Sequence, residues 1–396
     1  MDNIQVLENL EKILKYDYLP AWQNQINTNP SAFLAKIAKP LLVSDKISAA
    51  APVGINGGYG SGVDGGNTPV SGAQAYENFT LASANMYCNI EISDKTVELG
   101  GKNGAIIDAA HNEIEGGYKA AEWNVARMLF GNGKGILTSI EYNGGKYVVT
   151  DDRFIIEGLT VDIYDASTKT KASTSGPVRI KDIDRVNKTV TFWNMPYTLQ
   201  AEKEFFLTVQ NSYNAEITGI GAIFDDEIDE LYGVKKSTNA IIKPTVVNAN
   251  GDISDAVIRN GLRTALRHKN GAVDTILCGD GAFDAYTEYL RVNNIRVESK
   301  TKEITGGFKA ISFLFDNREI DLVEERFVPA NEMWGVDSKA FEFYNVGWDF
   351  AKYQGGSIFN LKDSSNVYRA LLRNYGNLIC KNPGGCLRIH NIGYIA

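Results

Sequence analysis

Residues 103–140 constrain this chain more than any other stretch. Apolar or small side chains fall at Ile107, Ala110, Ile114, Tyr118, Ala121, Val125 and Met128, a 3-and-4 alternation that paints one stripe along a helix. Acidic Asp108, Glu113 and Glu115 lie early, and Arg127 and Lys134 lie at the far end, the polarity that a helix macrodipole favours. Phe130-Gly131-Asn132-Gly133 then supplies residues tolerant of positive φ, so one long helix is expected to stop there. About 26 residues would span roughly 39 Å. Gly116-Gly117 in its middle costs about 1 kcal/mol per glycine relative to alanine, so something is expected to pack closely at that point.

Composition permits a large buried core and excludes several classes. The 396 residues are enough for two or three domains. With 44% hydrophobic and 22% charged residues and no long apolar run, the chain reads as globular and without a membrane span. Met1-Asp2-Asn3-Ile4 carries neither a basic nor an apolar leader region, so the expected location is the cytosol in which the chain is made. Cys88, Cys278, Cys380 and Cys386 are too few and too irregular for a disulfide scaffold. A formal charge of -8 argues against a broad basic face that grips nucleic acid, although it suits a container that must fill and empty.

Residues 2–18 place Ile4, Leu7, Leu10, Leu14 and Tyr18 on one helical face ended by Pro20. A second short helix, residues 31–39, is expected with Ser31 as its cap. Residues 47–94 contain Asp64, Glu77, Glu91 and Asp94 but no Lys or Arg, and residues 54–72 hold eight glycines among nineteen positions. That segment reads either as a disordered linker or as a long hairpin whose tip orders on a neighbour. In the second reading Tyr76, Phe79, Leu81, Met86, Tyr87, Ile90 and Ile92 form the returning strand.

Residues 141–216 switch to period 2. Strands are expected at 148–149, 154–156, 161–164, 178–180, 190–192 and 205–209, with a hairpin turn at Asn187-Lys188, which together make a small β-barrel or sandwich. Residues 252–345 alternate helix and strand: helices at 254–268 and 281–292, strands at 273–278, 308–315 and 319–323. Helices laid on one mixed sheet are expected there. Residues 346–396 read as strands that close the core.

Ile92-Ser93-Asp94-Lys95, the long helix, and the run Ala126-Arg127-Met128-Leu129-Phe130-Gly131-Asn132-Gly133-Lys134-Gly135-Ile136-Leu137 resemble the central segment of tailed-bacteriophage major capsid proteins. The resemblance implies an α+β chain with the Hong Kong 97-type capsid fold. It maps a helical N-arm to residues 1–40, the E-loop hairpin to 41–98, the P-domain spine helix to 99–140, an inserted β domain to 141–216, P-domain strands to 217–251, a mixed-sheet A-domain to 252–345 and closing strands to 346–396. It further implies self-assembly as hexamers and pentamers into an icosahedral virion shell around double-stranded DNA, built in the host bacterial cytoplasm. A separate scaffolding protein, a portal and a decoration protein are the implied partners. An encapsulin-like compartment is the alternative within the same fold. Family members that weld their shells use an E-loop lysine; none lies between residues 47 and 94, so a non-covalent shell is expected. Trp22, Tyr59, Tyr76 and Phe79 are the candidate assembly contacts, since aromatic side chains dominate interface energetics.

Catalytic and cofactor signatures are weak. Gly131-Asn132-Gly133-Lys134-Gly135 lacks the spacing of a phosphate loop. Cys380, Cys386 and His390 form the one local set of possible zinc ligands, with a spacing unusual for a structural site. His111, His268 and His390 are scattered, and no nucleophile with an adjacent base stands out. Asp225, Asp226, Glu227, Asp229 and Glu230 put five carboxylates in six positions. They read as the first turn of a helix that Asp225 caps and Gly233 stops, or, if two converge in a cleft, as the acid and base of a hydrolase. No cofactor or metal is expected.

Overall fold

The computed structural model describes residues 31–52, 54, 56–74, 76–95, 105–172, 176–193, 195, 199–200, 203–293, 302–304, 308–353, 356–361 and 365–394, and the single positions 19 and 25. Trp22 and the expected helix over residues 2–18 lie outside the described residues. The chain divides into two compact units, one formed by Met1–Ala126 with Ile223–Ala396, the other by Arg127–Ala222.

Ser31 caps helix α1 (Ala32–Lys36) through a hydrogen bond accepted from the Phe33 amide. The helix ends before residue 39 because Pro40 disfavours the helical region for Lys39 and because Ile37 is already extended. Ala38 and Leu41 then form parallel bridges to Glu342 and Asn345. Strand β1 (Lys46–Pro52) and strand β2 (Tyr76–Ala82) make an antiparallel hairpin, in register from Lys46 opposite Ala82 to Pro52 opposite Tyr76. Strict alternation along β1 buries Ile47, Ala49 and Ala51. Strand β3 (Ala84–Ser93) continues from β2 and buries Met86, Ile90 and Ile92.

Helix α2 (Ala105–Phe130) has the 26 residues that periodicity led one to expect. Ile114, Tyr118, Ala121, Val125 and Met128 are buried along one stripe; the side chains of Ile107 and Ala110 lie outside the described residues. At Gly117 an added Cβ would stand 3.1 Å from Ile90 and 3.3 Å from the Cys88 sulfur, and at Gly116 it would meet nothing within 4 Å. The close approach expected of the pair belongs to Gly117 alone. The stop also holds: the Gly131 amide donates back to Arg127 and Met128, and Gly133 takes φ +84°.

The second unit is a closed six-stranded barrel of β4 (Ile136–Asn143), β5 (Lys146–Val149), β6 (Thr160–Asp165), β7 (Val178–Asp184), β8 (Thr189–Phe192) and β9 (Phe205–Val209), in the order β4-β5-β8-β7-β6-β9. Ile140, Val161, Ile180, Val190 and Leu207 fill it. Two expectations need correction. Residues 136–140, allotted to the helix region, already form strand β4. The apolar run at 154–156 is a loop whose Ile155 plugs the barrel core, with the Ile155 amide bonded back to Asp152 and Gly158 turning at φ +85°. Lys188 carries the positive φ of the β7–β8 turn, and Asp184 accepts from the Val186 and Asn187 amides.

The chain enters and leaves this unit side by side. Arg127 donates to both carboxylate oxygens of Glu216, at 2.8 and 2.5 Å, with both side chains buried. The Ile220 amide donates to the Leu129 carbonyl, and a Cβ on Gly219 would run into the carbonyl oxygens of Met128 and Leu129.

Beyond the barrel follow α3 (Gly221–Phe224), β10 (Glu230–Leu231), β11 (Val234–Lys235), β12 (Thr245–Gly251), α4 (Asp255–Lys269), β13 (Thr275–Cys278), α5 (Asp280–Val292), β14 (Lys302–Ile304), β15 (Phe308–Phe315), β16 (Arg318–Glu324) and β17 (Met333–Val336). Last come β18 (Phe341–Asn345), β19 (Asp349–Phe350), β20 (Phe359–Leu361), β21 (Val367–Cys380) and β22 (Leu387–Ile392). A mixed seven-stranded sheet runs β12-β22-β17-β13-β16-β15-β14. Helices α4 and α5 share its core through Ile258, Leu262, Ala282, Tyr286 and Leu290, as the sequence of residues 252–345 led one to expect. The closing strands split between sheets: β22 joins this one, parallel to β12, while the 14-residue β21 pairs antiparallel with β3, β18, β19 and β20. Among the described residues no helix is long and apolar enough to cross a membrane.

Candidate assembly surface

The β1–β2 hairpin stands on a built foundation. Its base is held by the β10–β11 turn, where Tyr232 (φ +54°) and Gly233 (φ +80°) both lie in the left-handed region, the two-residue turn that suits a twisted hairpin. A tyrosine there is strained, at a cost on the order of 1–3 kcal/mol. Its surroundings hold it in place. The Tyr232 carbonyl accepts from the Thr80 amide at 2.9 Å, its ring packs on Phe79 with centroids 5.6 Å apart, and its buried hydroxyl accepts from the Cys380 amide at 3.3 Å. Burial pushes that hydroxyl well above the ordinary tyrosine range. The Asn377 side chain donates to the Ala82 carbonyl, and Asn239 donates to Glu77.

Above this base the glycines bring the two legs of the hairpin together. A Cβ on Gly72 would stand within 2.9 Å of the Gly57 backbone, and one on Gly60 would stand 2.9 Å from Pro69. Gly65, at φ +74°, turns the tip, with the Gly66 amide bonded to the Val63 carbonyl. The arrangement answers to the hairpin reading and not to the linker for residues 46–82, but Met86, Tyr87, Ile90 and Ile92, expected on the same returning strand, lie on β3, which pairs with β21 and not with β1. Tyr59, 92% exposed, sits on the tip with exposed Val63 and Val70, and Tyr76, 59% exposed, sits where the strands begin to pair.

No protein-family model and no curated protein matches the sequence. Solved structures do. The capsid subunit of the cyanophage A-1(L) asymmetric unit superposes with a TM-score of 0.53 at 11% identity, over 92% of this chain and 93% of that one. The chain has the fold of a phage capsid subunit. Weaker likenesses are to the procapsid of satellite phage P4 with its size determination protein (TM-score 0.43, 11% identity, 100% and 99% covered) and to the capsid of a native GTA particle (0.46, 8%, 91% and 90%).

Within the capsid fold the four candidate contacts separate. Tyr59 and Tyr76 present their rings to solvent. Phe79 is fully buried against Tyr232 of the same chain, so it could meet a neighbour only by leaving that ring, and Trp22 lies outside the described residues. Sequence reasoning missed Tyr232, because a Tyr-Gly pair that closes a hairpin also looks like the end of a helix.

The carboxylate run is a turn and a hairpin, not the first turn of a helix: α3 ends at Phe224, ahead of the acids. Asp225 accepts from the Glu227 amide, and Asp229 accepts from the amide and hydroxyl of Ser237, bonds that hold its carboxyl below the usual range. Asp226, Glu227, Asp229 and Glu230 are exposed, so no shared cleft poises them for acid–base work. The Cys380 and Cys386 side chains meet in a hydrogen bond, and among the described residues no group of three His, Cys, Asp or Glu side chains could hold a metal. All four thiols are free, and burial pushes that of Cys88 up to about 11.

Proposed function

We infer that this chain is the major capsid subunit of a tailed bacteriophage. Its fold is read as the Hong Kong 97 type, with the N-arm at residues 1–40, the β1–β2 hairpin as the E-loop, α2 as the P-domain spine, the seven-stranded sheet as the core of the A-domain, and the barrel as an insertion. The observation that carries this reading is the likeness to a capsid subunit along nearly the whole of both chains. Copies assemble as hexamers and pentamers into an icosahedral shell around double-stranded DNA, aided by a separate scaffolding protein and joined by a portal. The role is structural and not enzymatic. The sum of many weak contacts closes such a shell. The absence of lysine from residues 47–94 supports a non-covalent one, and the net charge of -8 supports a lining that does not grip DNA.

Negative-stain electron microscopy and light scattering on the full chain, alone and with a scaffold, test the reading. Closed shells, tubes or capsomer rings are expected, and a monomer under every condition overturns it. The contents of particles recovered from cells separate DNA from the protein cargo of an encapsulin-like compartment. Tyr59→Ser with Tyr76→Ser should raise the concentration needed for assembly at least about ten-fold and leave subunit melting unchanged. Loss of subunit stability would assign those rings to the fold instead.

A further inference from the structure

The segment from Ser31 to Leu42 is fastened to the chain along its length. Near its middle, Lys36 makes a 2.6 Å ion pair with Asp321 and donates to Thr275. At its end, Leu42 donates to the Asn345 carbonyl. Its beginning is different. Ser31 donates at 2.8 Å to Glu325, whose side chain is buried, and Ala32, Phe33 and Leu34 are buried behind it, with the Phe33 ring edge-on to Phe341. Among the described residues no Lys or Arg forms an ion pair with Glu325, and the cation whose charge acts on it is Arg326. Its flanking neighbours Glu324 and Arg326 are exposed, and the charge of Arg326 is shared with Glu122 of α2. On β13 the carbonyl of Cys278, whose thiol is buried and neutral, accepts from the Glu325 amide. Asp321 is engaged by Lys36.

We propose that the Ser31–Glu325 contact is a protonation latch, which closes α1 onto the chain when the Glu325 carboxyl is neutral and loosens it when the carboxyl ionises. Either form accepts the Ser31 hydrogen bond, the carboxylate more strongly, but burying the carboxylate costs more solvation than that bond returns, whereas the neutral carboxyl tolerates burial. Burial, opposed by the Ser31 hydrogen bond, the charge of Arg326 and the Phe327 amide, raises the group from 4.5 to about 7. The docked state therefore binds the proton more tightly than the open state. Docking is strongest below pH 4.5, weakens as pH rises through about 7, and is weakest above it. The latch does not depend on the capsid reading.

Hydrogen exchange on the full chain, corrected for intrinsic rates, tests this at the amides of Phe33, Ala35 and Ile37, with α4 as the reference. Opening of α1 relative to α4 should rise on the order of 100-fold between pH 4.5 and 8, and Glu325→Gln should make it independent of pH. Ser31→Ala should weaken protection at every pH yet keep the slope. A flat profile in the native chain overturns the latch, and so does an unchanged slope in Glu325→Gln. Should that variant not fold, Glu325→Met, uncharged and of similar volume, gives the same comparison.

Discussion

Adjacent glycines on α2 should respond with opposite signs. Gly116→Ala meets nothing within 4 Å, so it should stabilise the subunit by about 1 kcal/mol through helix propensity. Gly117→Ala gains the same propensity but drives a methyl into Ile90 and Cys88, an overpacking of about 1–3 kcal/mol, so urea unfolding should register a net loss. The sequence marked the pair as a site of close packing. It could not say which member faces inward, because successive helical residues lie 100° apart and the facing side chains come from a strand some thirty residues earlier. Arg127 and Glu216 show the same limit. Each reads as a solvated charge, yet together they are a buried bidentate pair. Arg127→Met alone should cost the barrel about 3–5 kcal/mol, because it strands a buried carboxylate, and adding Glu216→Leu should restore most of that. Thermal unfolding of both variants checks it.

Elements were legible where their period was long. Seven turns of 3-and-4 spacing fixed α2 to within a few residues, and alternation found five of the six barrel strands. Short elements were not. At Phe154-Ile155-Ile156 an apolar run of three is compatible with strand or loop, and Asp152 and Gly158 decide for the loop. From Phe224 to Gly233 the acids suit a helix start, but Tyr232 and Gly233 fold back as a hairpin because Phe79, Thr80 and Cys380 engage that tyrosine from distant parts of the chain. Phe79→Ala tests the hairpin's footing. In the isolated chain it should cost about 3–5 kcal/mol and speed exchange along β2. A negligible loss would instead leave the ring available to a neighbour.

At the scale of the whole molecule, the order of elements was readable and their assignment to sheets was not. Parallel pairing of β22 with β12 joins positions about 140 residues apart, and no local pattern announces which sheet a closing strand will complete. The capsid fold therefore rested, in sequence, on the order of hairpin, long helix, β domain and mixed sheet. The barrel is the most independent part of that order. Residues 127–222 expressed alone should give a β-type circular dichroism spectrum and a cooperative melt. An unstructured fragment would show that the barrel needs the rest of the chain to close.

Both ends of the barrel pass through a single doorway, framed by the Arg127–Glu216 pair and by the contact of Gly219 with the last turn of α2. A body tethered at two touching points can be lifted out and another set in its place, provided the newcomer's own ends lie equally close.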